Sequence, residues 1–361
     1  MISSSYHPAR SRSPTEGFLM SIMIELAEKG VFPDSLIRWG VKNLVKERLL
    51  EAQHEATGNH FNSLGRFADS MREASIAEVP ELANEQHYEV PEVFFGEVLG
   101  KHRKYSSCYY ENSDTSLDDA ETAMLTLSCQ RAQIENGMSI LELGCGWGSL
   151  SLWMAEQYPD SSVLSVSNSS SQKAYIDSQA ESRGLKNLTV ITCDMNDFEP
   201  EGQFDRIISI EMFEHMKNWE LLIGKLENVM TENAKLFLHV FSHRIYAYHF
   251  LKENDDEWMA QHFFSGGMMP SHHIFDRLDV PLSLESSWFV NGTHYQRTSD
   301  HWLENMNTRK AEIMPILQNT YGSRLAKVWF QRWKIFFIAC SELFGYQNGH
   351  QWGVSHFLLK K

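Results

Sequence analysis

The 361-residue chain is short of cysteine: it has five, none at a Cys-x-x-Cys or Cys/His ligand spacing. Neither a disulfide framework nor a zinc site is expected, and a reducing, cytoplasmic setting fits best. Long apolar runs are missing too. The most apolar stretch, 328–344, is interrupted by Arg332, Lys334 and Glu342, which excludes a membrane-spanning helix. Basic charge is scarce, with 32 Lys and Arg against 47 Asp and Glu and a net charge of −15. That balance disfavours nucleic acid and anionic lipid and is compatible with cationic small molecules. The first 18 residues, rich in Ser, Pro and Arg, lack the apolar core of a secretory signal. They are expected to be a flexible tail, with an organelle-targeting peptide as the alternative.

What remains is an ordinary globular composition, 42% hydrophobic and 22% charged, enough for one large domain or two modest ones. Residues 19–130 read as a helical cap, with apolar positions three and four apart and a helix start near Pro33-Asp34-Ser35. From Ser139 the texture changes. Strands are expected at 139–143, 162–166, 188–192, 204–210 and 235–240, with helices at 150–157 and 171–182 between them. Alternating strands and helices imply an α/β fold with a mostly parallel sheet covered on both faces. Within the expected core, 131–361, residues from about 242 to 345 form an aromatic insertion, irregular at first and helical from about Thr298 to Phe344. A last strand covers 353–359.

The first strand runs into Gly144-Cys-Gly146-Trp-Gly148 and then a helix. Glycine is required where the backbone turns tightly and approaches a ligand, and such a turn lies where open α/β sheets bind ligands. The dinucleotide fingerprint G-x-G-x-x-G is broken by Ser149. Glu142-Leu-Gly144-Cys-Gly146-x-Gly148 instead resembles motif I of class I S-adenosylmethionine (SAM) methyltransferases. That resemblance implies a Rossmann-like sheet and puts Glu142 near the methionine amino end, with Gly144 and Gly146 against the cofactor. It also implies that Ser167, Asn168 and Gln172 meet the ribose and that Asp194, followed by Met195, meets the adenine. A turn cap is the alternative for Asp194.

After the fourth strand comes Glu211-Met-Phe-Glu214-His215, two carboxylates and an imidazole in five residues. Glu211 and His215, four apart, would share a face of a helical turn, with Glu214 projecting elsewhere. Such groups can strip the proton from an ammonium so that nitrogen has a free pair for an in-line methyl transfer. The alternative is an exposed helix start with no chemistry.

Segments 105–110, 141–148, 204–218 and 348–361 resemble the plant coclaurine, pavine and tetrahydroprotoberberine N-methyltransferases, members of the cyclopropane-fatty-acid-synthase-like superfamily. The resemblance spans roughly 35–361. It implies a small cyclic or aromatic amine as methyl acceptor, SAM as cofactor with S-adenosylhomocysteine (SAH) as product, no metal, and room for a homodimer. It carries Glu89, from Tyr88-Glu89-Val90-Pro91, into a catalytic set with Glu214 and His215, supported by Glu211. Tyr105 and Ser106 would close over the cofactor; His239, Phe264, Trp333 and Phe336 would line the acceptor site. Lipid cyclopropane synthases are similar as well, and are held to cradle a bicarbonate with Cys, Glu, His and Tyr. Glu214 and His239 match that set, whereas Ser107 stands at the cysteine position and the tyrosine position falls near Leu303. Trp147 also matches the lipid branch. A lipid C-methyltransferase is therefore the alternative, and a non-catalytic SAM-sensing protein is the alternative of another class.

Overall fold

The computed structural model describes residues 14–56, 60–77, 90–250, 258–264 and 266–361. Of the expected tail, 1–13 lies outside the described residues. Residues 14–18 are not tail but the start of helix α1 (Pro14–Glu28). Helices α2 (Asp34–Glu55), α3 (His60–Arg72), α4 (Glu92–Val98) and α5 (Leu117–Arg131) complete the N-terminal part. Pro33 caps α2, where its missing N–H costs nothing, and Ser116 caps α5 by accepting the Asp119 N–H.

Next come β1 (Ser139–Leu143), α6 (Ser149–Gln157), β2 (Ser162–Ser167), α7 (Ser170–Arg183), β3 (Leu188–Thr192) and β4 (Phe204–Ile210). They are followed by α8 (Trp219–Glu227), β5 (Met230–His243), β6 (Tyr248–His249), α9 (Trp258–His262) and β7 (Met268–Met269). The chain ends with β8 (Ser283–Asn291), α10 (Thr293–Thr308), α11 (Lys310–Gly345) and β9 (Trp352–Lys360).

Seven strands form one sheet in the order β3-β2-β1-β4-β5-β9-β8. Only β9 runs against the others. Side chains alternate across it as the period of a strand demands. Ile140, Ile208, Phe237 and Leu358 pack with Leu125 and Cys129 of α5 and Leu150 and Met154 of α6. Their neighbours Leu141, Ile207, Leu236 and Leu359 face Trp219 and Leu222 of α8 and Leu64 and Phe67 of α3. Strand order reverses between β1 and β4, and a crevice for ligands opens at such a switch point, beyond the carboxyl ends of the strands.

Two expectations change. The segment read as irregular contains β8, whose first half is Ser- and Glu-rich with strand formers only at Trp288-Phe289-Val290, and which pairs with β9 at the sheet edge. The single helix expected from about 298 to 344 is two, starting earlier, with a joint at Arg309 (φ −98°, ψ 29°) and a break in α11 at Gly322 (φ 77°, ψ 156°).

Candidate active site

At the end of β1 the turn takes Gly144, Gly146 and Gly148 through φ of 74°, 51° and 76°. These are left-handed values open to glycine. Gly144 and Cys145 both donate their N–H to the Val166 carbonyl, at 3.0 and 2.9 Å, which ties the turn to β2. A Cβ on Gly144 would stand 2.5 Å from Met212 Cγ, whereas one on Gly146 would meet nothing within 4 Å. The turn is thus packed on one side and faces open space on the other. Glu142, buried below it, accepts from the Ser151 hydroxyl and, at 3.1 Å, from Ser165; burial pushes its carboxyl up to about 7.

Ser167 donates its hydroxyl to Gln172 Oε1 at 2.7 Å. Gln172 is buried, and its Nε2 has no acceptor. A buried amide donor without a partner is costly, and a ligand hydroxyl would satisfy it. Asn168 lies beside this pair on the same turn. Together with the open face of the glycine turn, the orphan donor fits a nucleoside with free hydroxyls. Asp194 accepts the Asn196 N–H at 2.7 Å, a local turn bond of the kind the capping alternative foresaw. Met195 is packed into the core beside Phe198. Ser106 is buried and accepts from Lys104 Nζ, and the Tyr105 ring lies 5.2 Å from Phe95 and 5.5 Å from Trp302.

The segment after β4 is not the helical turn expected. Glu211 is left-handed (φ 47°), and only Phe213–His215 forms a short 3-10 turn. A non-glycine residue holds that conformation only where its surroundings dictate it, and here they do. The Glu211 N–H donates to the His239 carbonyl at 2.7 Å. Its carboxylate accepts from the Ser107 N–H (2.9 Å), His239 Nε2 (3.1 Å) and the Tyr295 hydroxyl (2.7 Å). The Lys104 ammonium, buried nearby and anchored on the Ser107 carbonyl at 2.7 Å, adds a favourable charge.

Glu214 has far less support. Its side chain is fully buried, one oxygen accepts the Phe241 N–H at 2.5 Å, and the other has no partner. Burial, and then the negative charge of Glu211, push its carboxyl well above the usual range. Burial raises Glu211 as well, but Lys104, the Ser107 N–H and the Tyr295 hydroxyl oppose the rise. The two carboxyls are unequally supported: Glu211 is held by a lysine and three donors, Glu214 by a single backbone N–H, so Glu214 has the greater affinity for a proton. His215 follows on the same turn, its ring 4.4 Å from Phe264.

Several expected residues stand elsewhere than foreseen. His239 is no acceptor-lining residue: it is fully buried, with Nε2 engaged by Glu211 and Nδ1 by His356. Leu303 is a buried core residue, and the tyrosine that reaches the His239 side of the site is Tyr295. Glu89 lies outside the described residues. Trp333 is fully buried among Phe94 (4.9 Å), Phe263 (5.0 Å) and Phe337 (5.7 Å), although its indole N–H has no acceptor. Phe336 stacks on Phe263 at 4.4 Å. Phe264, by contrast, stands directly beside His215. Sequence reasoning missed Lys104, Tyr295 and His356. Tyr295 registered only as one aromatic among many, and a lysine or histidine outside any motif gives no signal.

A family model described as mycolic acid cyclopropane synthetase matches residues 78–352. The (S)-coclaurine N-methyltransferase of Thalictrum flavum subsp. glaucum is 35% identical over 348 residues, covering 94% of this chain and 96% of that protein. The pavine N-methyltransferase of the same plant is 33% identical over 342 residues, covering 94% and 96%. Among solved structures, coclaurine N-methyltransferase bound to N-methylheliamine and SAH superposes with a TM-score of 0.91 at 34% identity. That match covers 95% of this chain and 100% of that one.

Proposed function

For a chain that belongs to the mycolic acid cyclopropane synthetase family and is similar over most of its length to plant alkaloid N-methyltransferases, we propose SAM-dependent N-methylation of a small cyclic or aromatic amine. The observation that carries this reading is the unequal carboxyl pair after β4, one oxygen of Glu214 buried and unpaired beside a Glu211 carboxyl held by three donors. SAM, held by the glycine turn, Gln172 and the Ser167 region, supplies an electrophilic methyl group on a sulfonium. Everything else falls to the protein. Glu211 presents negative charge that attracts a cationic amine. Glu214, with His215 beside it, takes the ammonium proton and so frees the nitrogen pair. Phe264 and the aromatic wall around Trp333 hold the amine's carbon frame in line, and that alignment supplies much of the rate. Glu89 completes the set.

The lipid alternative has an observation against it. The Ser107 N–H, His239 Nε2–H and Tyr295 hydroxyl converge on one point, and the Glu211 carboxylate already occupies it. A bicarbonate cradled by the same residues would have to displace a buried side chain.

The helical residues 19–130 serve in this reading as a cap over the site, and 242–345 as the acceptor-binding insertion. A cytoplasmic setting and a homodimer belong to it as well; the five free cysteines support the first, and size-exclusion chromatography tests the second. No helix among the described residues is long and apolar enough to cross a membrane.

The test is an acceptor screen with isotope-labelled SAM, setting benzylisoquinoline and simpler amines against unsaturated phospholipid. Label on an amine nitrogen is expected. Label in acyl chains would mean the lipid alternative, and unchanged amine turnover after replacing Glu214 and His215 together would overturn the assigned chemistry.

A further inference from the structure

The hydrogen bonds that hold Glu211 do not end at His239. His239 on β5 and His356 on β9 are register partners, and His239 Nδ1 lies 2.9 Å from His356 Nε2. His356 Nδ1 in turn lies 2.8 Å from a guanidinium nitrogen of Arg131, the last residue of α5. Both imidazoles are fully buried, which holds them well below the usual pKa and therefore neutral. Arg131 is half-buried, with its guanidinium 4.9 Å from the centre of the Trp288 ring.

The proton positions along this line follow from one fact: a guanidinium can only donate. His356 Nδ1 must accept, so the single proton of neutral His356 sits on Nε2. That proton points at His239 Nδ1, which must also accept, and the proton of His239 is driven to Nε2. There it faces Glu211 Oε1 at 3.1 Å as a donor. The reverse polarity, with a protonated Glu211 donating to His239, would end with an N–H of His356 pressed against an N–H of Arg131.

We propose that Arg131, through His356 and His239, is a positioning residue that fixes Glu211 Oε1 as a hydrogen-bond acceptor and so keeps the carboxyl from donating toward His239. Glu214 is thereby left as the carboxyl that takes the acceptor's proton. The line runs one way and is closed to proton export, because Arg131 has no site to accept a proton. The proton removed from the acceptor leaves by the Glu214–His215 side.

The charged and titratable groups facing Glu211 are Lys104 and Cys108 from the segment ahead of α5 and Glu214 from its own turn. His239 on β5, Tyr295 on α10 and Cys340 on α11 complete the set. Lys104 alone among them is a cation. Its charge favours the Glu211 carboxylate without setting the polarity of the imidazole pair, and that polarity is what Arg131 adds.

The kinetic part of this inference rests on the N-methyltransferase reading; the tautomers do not, so the two fail separately. Full-length protein labelled with nitrogen-15 histidine is examined by NMR. The nitrogen–nitrogen coupling across the imidazole–imidazole hydrogen bond identifies the pair without substitution. Between about pH 6 and 8, the range in which an ordinary histidine changes charge, both rings should carry the proton on Nε2 alone. A protonated Nδ1 on either ring, or a charged ring in that range, overturns the proposal whatever the enzyme methylates. Arg131→Met should release both tautomers and lower kcat about tenfold with SAH affinity kept. Arg131→Lys, which retains a donor, should hold the wild-type tautomers and most of the rate. Unmoved tautomers in Arg131→Met, with only the melting temperature lowered, would show a packing role and overturn it as well.

Discussion

The two sides of the crevice are assembled differently. Glu142, the glycine turn, Ser167, Gln172 and Asp194 lie between positions 142 and 195, on three successive turns at the ends of β1, β2 and β3. Ser107, Glu211, His239, Tyr295, His356 and Arg131 come from six separate segments, joined only by the sheet and the helices over it. The first side is built from neighbours in the chain, with Glu142 its one fully buried carboxyl, the second from buried ionisable groups drawn from distant segments that each need several partners. A local device can therefore be altered piecemeal, whereas the carboxyl cluster should respond as a unit.

The largest effect should come from the second side. Glu214→Gln is expected to lower kcat by roughly a thousandfold, the range of a lost general base, in steady-state turnover with the best amine from the screen. On the first side, Gly144→Ala combines a left-handed backbone with a Cβ 2.5 Å from Met212 Cγ. Strain of that kind costs a few kcal/mol, so SAH affinity measured by calorimetry should fall by about a hundredfold. Gln172→Ala removes one donor and should weaken SAH by about tenfold while kcat at saturating cofactor is kept. A fall in kcat alone would blur the division.

The subtlest effect is on pH. The neighbouring charge of Glu211 raises the Glu214 carboxyl, and a base with a raised pKa loses activity earlier as pH falls. Glu211→Gln removes that charge, so the acid limb of the kcat profile should move to lower pH. A limb moving upward would mean that Glu211, not Glu214, carries the working proton.

The same contrast decides what could be read from the sequence. Six strands and the glycine turn were legible because short apolar runs and a Gly-x-Gly-x-Gly between strand and helix are local signals. Strand β8 was not, since its first half is Ser- and Glu-rich, its apolar residues lie together at 288–290, and its reason for being a strand is the edge of β9. Glu211 and Glu214 were visible as a pair, but helical spacing assigned them the wrong geometry. The left-handed turn at Glu211 comes from partners as distant as Tyr295, which no window around position 211 contains. His239 could be found by resemblance to a lipid enzyme's ligand, yet its role as a buried support depends on His356 at the far end of the chain.

The central claim is that the two sides do separate jobs, and Glu214→Gln tests it most directly when titrated with SAH and followed through a single turnover. The account predicts SAH affinity within about twofold of the wild type, too small a change to mark a lost contact, and a methyl-transfer rate reduced by orders of magnitude. Loss of SAH binding in step with the rate, or a rate left intact, would contradict it.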